Sequence, residues 1–329
     1  KIAVFADYDV DGGASAALIL TYLRALGHQA TLYIPDRIDE GYGPNVPAMA
    51  ALGANHELII CVDCGTLSHE PITAAGCDVI VLDHHLGGET LPPALAVVNP
   101  NRQDEDGSLG YLCAAGVVFL FLAQTNRILR NKGVAGPDML GMLDLVALAT
   151  VADIAPLVGF NRALVRQGLA IMAQRGRIGL AALADIAGLN RAPAAYHLGY
   201  LLGPRINAGG RVGAADLGAR LLATDNPEEA RQLAQQLDTL NAERRSIEAE
   251  VQASAIVQAE TRDTAGPLVW AAGQGWHPGV VGIVASRLKE RFNRPAVVIG
   301  LDGGQGKGSG RSVSGVDLGS SIAKLTREG

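Results

Sequence analysis

Basic residues are scarce in this chain. Its 329 residues hold 27 Lys and Arg against 33 Asp and Glu, a formal net charge of −6, which excludes a uniformly basic, histone-like protein. Long apolar runs are missing too. The longest uncharged apolar stretch, Leu109 to Ala123, is 15 residues, short of the roughly 20 that a membrane-spanning helix needs. No signal-peptide pattern is visible, so a cytoplasmic protein without membrane association is expected. Cysteine is limited to Cys61, Cys64, Cys77 and Cys113. The C-x-x-C at Cys61 and Cys64 has no second pair after it, which argues against a zinc ribbon and for buried, reduced thiols. The glycine-rich run Gly303–Gly310 lacks the Gly-Lys-Ser/Thr ending of a P-loop, because Gly308 follows Lys307; no ATP dependence is expected. No repeat of solenoid period is present.

What the chain does have is a globular composition, 48% apolar and 18% charged, and a length that suggests about two domains. Charge is unevenly placed. Residues 1–100 carry only Lys1, Arg24 and Arg37 against twelve acids, a balance of −9, while the remainder sums to +3. In the acidic part, short apolar runs (Ile2–Phe5, Thr31–Ile34, Leu58–Val62, Val79–Leu82 and Ala96–Val98) alternate with helical patterns around Ala14–Leu26, Val46–Leu52 and Glu70–Ala75. Continuous apolar strands separated by helices imply a doubly wound α/β fold on a mostly parallel sheet. A helical extension follows, from about Leu112 to Leu202, with a buried helix at Met139–Ala149. A long polar helix from Pro227 to about Glu260 reads as a solvated connector. A second, smaller α/β pattern begins after Gly266-Pro267, with strands at Leu268–Ala271 and Ala296–Ile299, a helix at Gly279–Phe292, and a glycine-rich turn or strand at Gly308–Ser312.

Acids follow three of the strands. Asp7, Asp9 and Asp11 come after the first, Asp63 after Leu58–Val62, and Asp83, His84 and His85 after Val79–Leu82. Ligands of open α/β sheets bind beyond the carboxyl ends of strands, so these groups are expected in one crevice. A lone Asp after a strand is more often a helix N-cap, and Asp-x-Asp-x-Asp-Gly could suggest an EF-hand, but position 18, where that loop needs Glu, is Leu. Several carboxylates at close range repel one another or take up protons. One or two divalent cations resolve this, and carboxylate oxygens with an imidazole suit Mn²⁺ or Mg²⁺. Asp153, at the exit of the buried helix, is a fourth acid candidate.

Asp83-His84-His85, placed after Asp-Tyr-Asp-Val-Asp-Gly and Val62-Asp63-Cys64-Gly65, resembles the DHH phosphoesterase superfamily. Further motifs (Leu148–Leu157, Leu202–Arg211, Gly275–Leu288 and Gly308–Ser312) resemble its exonuclease branch, specific for single-stranded DNA, over nearly the whole chain. The resemblance implies a DHH catalytic domain at 1–200, a connecting segment with the long helix at 201–262, and a truncated DHHA1-type substrate-binding domain at 263–329. It implies a core taken from a longer protein whose relatives continue with a Gly-Gly-His segment and an OB-type domain. It also implies a two-metal site of Mn²⁺ or Mg²⁺: Asp9 and Asp63 on one metal, Asp11, Asp63, His84 and Asp153 on the other, with Asp7 beside the site. Many members carry a His four residues before Asp9, where this chain has Phe5, so the first metal is expected to bind weakly, or only with substrate present. His85 is the candidate for touching the scissile phosphate or leaving oxygen, or else for orienting the site.

Substrate grip is expected from Arg205, Asn207 and Arg211, from His277, and from Ser309 and Arg311, since Arg suits bidentate phosphate contact. Trp276 reads as packing, with base stacking as the alternative. The implied activity is 5′ to 3′ hydrolysis of single-stranded DNA to mononucleotides, by a monomer that works with a single-strand-binding protein and a recombination helicase in DNA repair and recombination. The alternatives are a DHH phosphodiesterase of short oligonucleotides or cyclic dinucleotides, and a non-catalytic scaffold of the same fold, which the intact acids oppose.

Overall fold

The structure is a computed structural model that describes residues 1–262 and 266–328. The domain boundary expected between 262 and 263 adjoins residues outside the described ones. Packing divides the chain into two compact units, Lys1–Leu240 and Asn241–Gly329.

In the first unit, β1 (Ile2–Ala6), β2 (Ala30–Tyr33), β3 (Leu58–Val62), β4 (Asp78–Leu82) and β5 (Ala96–Val98) form a parallel sheet in the order β2-β1-β3-β4-β5. Helices α1 (Val10–Ala25), α2 (Val46–Gly53) and α3 (His69–Ala75) connect the first four strands. Side chains alternate across the sheet. Val4, Ala6, Ile60, Val62 and Leu82 belong to one core with α1, while Ala3, Phe5, Ile59, Cys61, Val79 and Val81 belong to another with α2 and α3. Burial on both faces is why the three central strands β1, β3 and β4 carry nearly continuous apolar runs.

The helical extension comprises α4 (Ala114–Asn131), α5 (Leu143–Ala152), α6 (Gly159–Ala173), α7 (Ile178–Ile186), the single turn α8 (Ala195–His197), a π-helical turn at Leu198–Leu202, α9 (Gly203–Val212) and α10 (Leu217–Ala223). Helix α5 is buried over almost its whole length, and it extends the larger core.

Helix α11 (Pro227–Thr261) is the long polar helix, but it is not simply solvated. Ala230, Leu233, Ala234 and Leu237 are buried in the core of the first unit, and Val251, Ala255 and Ala259 in that of the second. Their spacing of three and four residues makes a narrow apolar stripe that the many Gln, Glu and Arg conceal in the average composition.

The second unit pairs β6 (Val269–Gln274) in parallel with β7 (Ala296–Asp302), and β7 antiparallel with β8 (Gln305–Arg311); α12 (Pro278–Phe292) lies between β6 and β7 in sequence, and α13 (Leu318–Glu328) follows β8. The glycine-rich run is the β7–β8 hairpin. Gly303 and Gly304 take φ of 53° and 83°, the positive values that a tight hairpin turn requires. Among the described residues no helix is long and apolar enough to cross a membrane.

Candidate metal centre

Strand register brings the first acids together. Ala6 pairs with Val62, and Val62 with Leu82, so Asp7, Asp63 and Asp83 are the next residues on three adjacent strands. The chain leaves β1 toward β2 on one side and returns to β3 on the other. This is the switch point where open α/β sheets leave room for a ligand. Helix α1 starts there. Asp9 caps it, its Oδ1 accepting from the backbone N–H of Asp11 at 2.8 Å and of Gly12 at 3.1 Å. Gly12 passes so close to the Asp7 carbonyl that any Cβ would collide with that oxygen.

Asp11 is 1% exposed, and its two oxygens accept from the Ala114 and Ala115 N–H groups at 2.7 and 2.8 Å, the free donors at the start of α4. Asp63 takes φ of +61° and Ile154, just after Asp153, takes +60°. Such left-handed backbone is uncommon for non-glycine residues and clusters at functional sites.

His84 is oriented by its ring. Nδ1 lies 3.1 Å from the Leu112 carbonyl oxygen, which can only accept, so Nδ1 carries the hydrogen and Nε2 presents a lone pair. That Nε2 lies 3.3 Å from Asp63 Oδ1 and 3.8 Å from Asp11 Oδ2. A lone pair aimed at two carboxylates is met by a cation between them or by a proton on one of them.

Three overlapping groups of potential ligand atoms result: Asp7, Asp9 and Asp63; Asp11, His84 and Asp153; and Asp63, His84 and His85, each within 4.8 Å of one another. Asp7 thus stands among the acids that could hold a cation, in a place where Phe5 offers nothing: Phe5 is fully buried and stacks on Tyr33 at 5.3 Å. Asp7 Oδ1 and Asp63 Oδ1 are buried without a hydrogen-bond partner, the condition in which buried carboxylates need a metal or a proton. Burial and then the neighbouring Asp9 push the Asp7 carboxyl up to about 8. Burial and neighbouring acids also raise Asp11 and Asp63 well above the usual carboxylate range. Asp153 is raised as well, by burial.

Asp83 differs from these acids. Its carboxylate accepts from Thr66 N and Oγ1 (3.1 and 2.6 Å), from the backbone N–H of His84 and His85 (2.7 and 3.2 Å) and from His85 Nδ1 (2.8 Å). Burial would raise this carboxyl, but those donors outweigh it and hold it below its ordinary value. The same hydrogen bond from His85 to Asp83 raises the imidazole.

Sequence reasoning missed the groups that hold this loop. Asn99 Nδ2 donates to Thr66 Oγ1 at 2.9 Å and to the His85 carbonyl at 2.8 Å, and Asn101 Nδ2 donates to the His84 carbonyl at 2.6 Å. It also missed Tyr42, whose hydroxyl donates to the Asp63 carbonyl at 3.0 Å and lies 3.2 Å from His85 Nδ1. Arg37, whose guanidinium lies 5.1 Å above the Tyr8 ring, was missed too; its rarity as a base in an acidic segment was the available signal.

The expected substrate-binding residues fall in both units. In the first, Asn207 Oδ1 accepts from Val10 N at 3.0 Å, tying α9 to the start of α1, and a Cβ on Gly210 would sit 2.8 Å from the Tyr8 carbonyl oxygen. Arg205 donates from Nε to Asp238 and from Nη1 to the Leu201 carbonyl, both at 2.8 Å. Arg211 lies in the last turn of the same helix. In the second unit, His277 caps α12, its Nδ1 accepting from Gly279 N at 3.0 Å. Arg311 Nη1 donates to Ser309 Oγ at 2.9 Å, and both side chains lie over Gly282, where a Cβ would stand 3.2 Å from each. Three expected phosphate contacts thus gather at the first turns of one helix. Trp276 packs over Gly273.

Residues 1–150 match the model of the DHH family, N-terminal domain, and residues 265–328 that of the DHHA1 domain. A crystal structure of exonuclease RecJ bound to manganese is 36% identical with a TM-score of 0.85, and the match covers 98% of this chain and 80% of that one. The chain belongs to the RecJ family. A RecJ structure in complex with Mn²⁺, from Thermus thermophilus, is 34% identical with a TM-score of 0.85, covering 99% of this chain and 47% of that one. The single-stranded-DNA-specific exonuclease RecJ of Salmonella typhimurium is 43% identical over 99% of this chain. The chain spans 59% of the length of that relative. The doubly wound fold with its smaller second sheet is the RecJ fold.

Proposed function

We propose that this chain is the catalytic core of a RecJ-type exonuclease that hydrolyses single-stranded DNA from the 5′ end to mononucleotides, as part of DNA repair and recombination. The observation that carries the reading is the pair of acid clusters joined through Asp63, in which buried oxygens of Asp7 and Asp63 have no hydrogen-bond donor. Asp7, Asp9 and Asp63 would hold one divalent cation, and Asp11, Asp63, His84 and Asp153 a second, Mn²⁺ or Mg²⁺ by their hard oxygen donors. Such a pair supplies Lewis-acid stabilisation to a phosphoryl group undergoing in-line displacement.

The protein's own groups do the rest. Asp83 fixes the His85 ring, whose side chain is 46% exposed and can donate a proton or a hydrogen bond to a phosphate or leaving oxygen. His277, Ser309 and Arg311 bind phosphate; Arg211 adds positive charge beside the metal loop, and Arg205 and Asn207 hold the helix that bears it. The RecJ relatives named for single-stranded DNA support the substrate class. Division into domains 1–200, 201–262 and 263–329, a monomeric state, cytoplasmic location, and cooperation with a single-strand-binding protein and a recombination helicase belong to the same proposal.

The test offers 5′-phosphorylated single-stranded DNA, the matching duplex and a cyclic dinucleotide in parallel with Mn²⁺. Preferred digestion of the single strand to mononucleotides from its 5′ end is expected. A preference for the cyclic dinucleotide overturns the reading.

A further inference from the structure

Only 4% of the chain is aromatic, yet two of its tyrosines stand together in solvent. Tyr196 and Tyr200 are 65% and 75% exposed, with ring centroids 5.1 Å apart and planes inclined by 24°. An offset pair of this kind is a broad, stiff aromatic surface. Burial does not explain it. The residues between and beside them, His197, Leu198 and Leu202, are buried, so the helix already has its core face and the tyrosines lie off it.

The backbone that carries them is tied to the metal centre. Tyr200 sits in the π-helical turn Leu198–Leu202, a rare conformation that is frequent at functional sites. Glycines flank the tyrosine at 199 and 203. A Cβ on Gly199 would lie 3.4 Å from the Val151 side chain, and one on Gly203 would lie 3.4 Å from Ala152 Cβ. The turn therefore rests on the last two residues of α5, immediately before Asp153. Arg205 braces it by donating to the Leu201 carbonyl. Positive charge is at hand as well: the Arg191 guanidinium Nε lies 3.2 Å from His197 Nε2, and the His197 ring meets Tyr196 edge-on at 5.8 Å.

We infer that Tyr196 and Tyr200 form a stacking platform for a nucleobase of the single strand whose backbone reaches the metal centre, with Arg191 near the adjoining phosphate. The inference rests on the proposed function, which supplies a single-stranded substrate. Every base offers a π-face, so such a platform grips the strand without reading its sequence, as an exonuclease that consumes any sequence requires. The bracing by Arg205 and the two glycines keeps the platform in fixed register with Asp153.

The test measures binding of a 5′-phosphorylated, fluorescently labelled oligothymidylate to the full chain by anisotropy, with EDTA present so that no cleavage occurs. Tyr200→Ala is expected to weaken binding about 5- to 150-fold, the range of one lost base–aromatic stack, while Tyr200→Phe stays within about twofold because stacking needs no hydroxyl. Thermal midpoints of both variants are measured alongside, to separate lost contact from lost fold. An oligonucleotide of the same length with abasic sites gives a second readout, for which wild type and Tyr200→Ala are expected to bind alike. If Tyr200→Ala and Tyr196→Ala bind oligothymidylate as tightly as wild type, the platform assignment is overturned. If the wild-type chain itself does not bind the oligonucleotide, the single-stranded substrate is overturned, and the platform with it.

Discussion

His84 Nε2 lies 3.3 Å from Asp63 Oδ1, with its other nitrogen held by the Leu112 carbonyl. This pairing joins the two acid clusters, because Asp63 is in reach of Asp7 and Asp9 as well.

Asp63→Asn tests that joint. Asn keeps the size of the side chain and tolerates the left-handed backbone at this position better than Ala does, so the fold should survive. One anionic ligand is lost from both clusters. Mn²⁺-dependent hydrolysis is expected to fall by more than about 100-fold. In EDTA the thermal midpoint should hold or rise, since a buried acid repelled by its neighbours has been removed. Addition of Mn²⁺ should then no longer raise the midpoint as it does for wild type. An unchanged Mn²⁺-induced rise would remove Asp63 from the site.

The raised carboxyls set a pH dependence with a definite sign. Asp7 titrates near 8 in the folded protein, raised by burial and then by Asp9, against about 4 for an unfolded chain. Between those values the metal-free folded state holds a proton that the unfolded state has released, so stability falls as pH rises through this window. Asp11 and Asp63 are displaced in the same direction. Cation binding must expel these protons. Mn²⁺ affinity is therefore expected to rise from about pH 6 to about pH 8, with proton release visible as a buffer-dependent heat in titration calorimetry. Equal heats in buffers of different ionisation enthalpy would contradict it.

Asp83 and Asp63 end neighbouring strands in the same register, but they should respond oppositely to the same change. Asp83 accepts from five donors, and Asn in its place would turn an amide group toward N–H groups it cannot satisfy. Asp83→Asn is expected to cost about 3 kcal/mol in urea unfolding without metal, whereas Asp63→Asn costs none. Thr66→Val, which removes one donor to Asp83 and leaves one of the two Asn99 amide hydrogens without its acceptor, should lie between them. A stable Asp83→Asn would show that this carboxylate is not the strut of the loop.

The contrast marks how far the sequence could be read. Strands β3 and β5 were legible to the residue as uninterrupted apolar runs, which in β3 follow from burial on both faces, and Asp7, Asp63 and Asp83 were legible as strand-end acids. What distinguishes Asp83 was not, since Thr66 reaches it from another loop and is itself held by Asn99, and no periodicity records such a meeting. Tyr42 was obscured in the same way, and so was the contact that Asn207 makes, although Asn207 itself was legible as a candidate: its partner, Val10, is 197 residues distant. The apolar stripe of α11 was visible in principle at positions 230, 233, 234 and 237, but composition averaged over 35 residues hid it.

One buried pair stands apart from the site and offers a test of the scaffold alone. Asp144, 2% exposed in α5, is held bidentately by Arg177, with Nε to Oδ2 at 2.7 Å and Nη2 to Oδ1 at 3.0 Å. Arg177 also reaches the Leu222 carbonyl in α10, so the pair connects the helix that leads into Asp153 with its surroundings. Removing one partner leaves an uncompensated buried charge. Arg177→Ala is therefore expected to lose about 3–5 kcal/mol of unfolding free energy, while the double replacement Asp144→Leu with Arg177→Met should recover most of it. Equilibrium unfolding in EDTA checks both. The order of the two variants decides the matter: a double variant less stable than Arg177→Ala would mean that the ion pair itself, and not merely the avoidance of a lone charge, holds this part of the core.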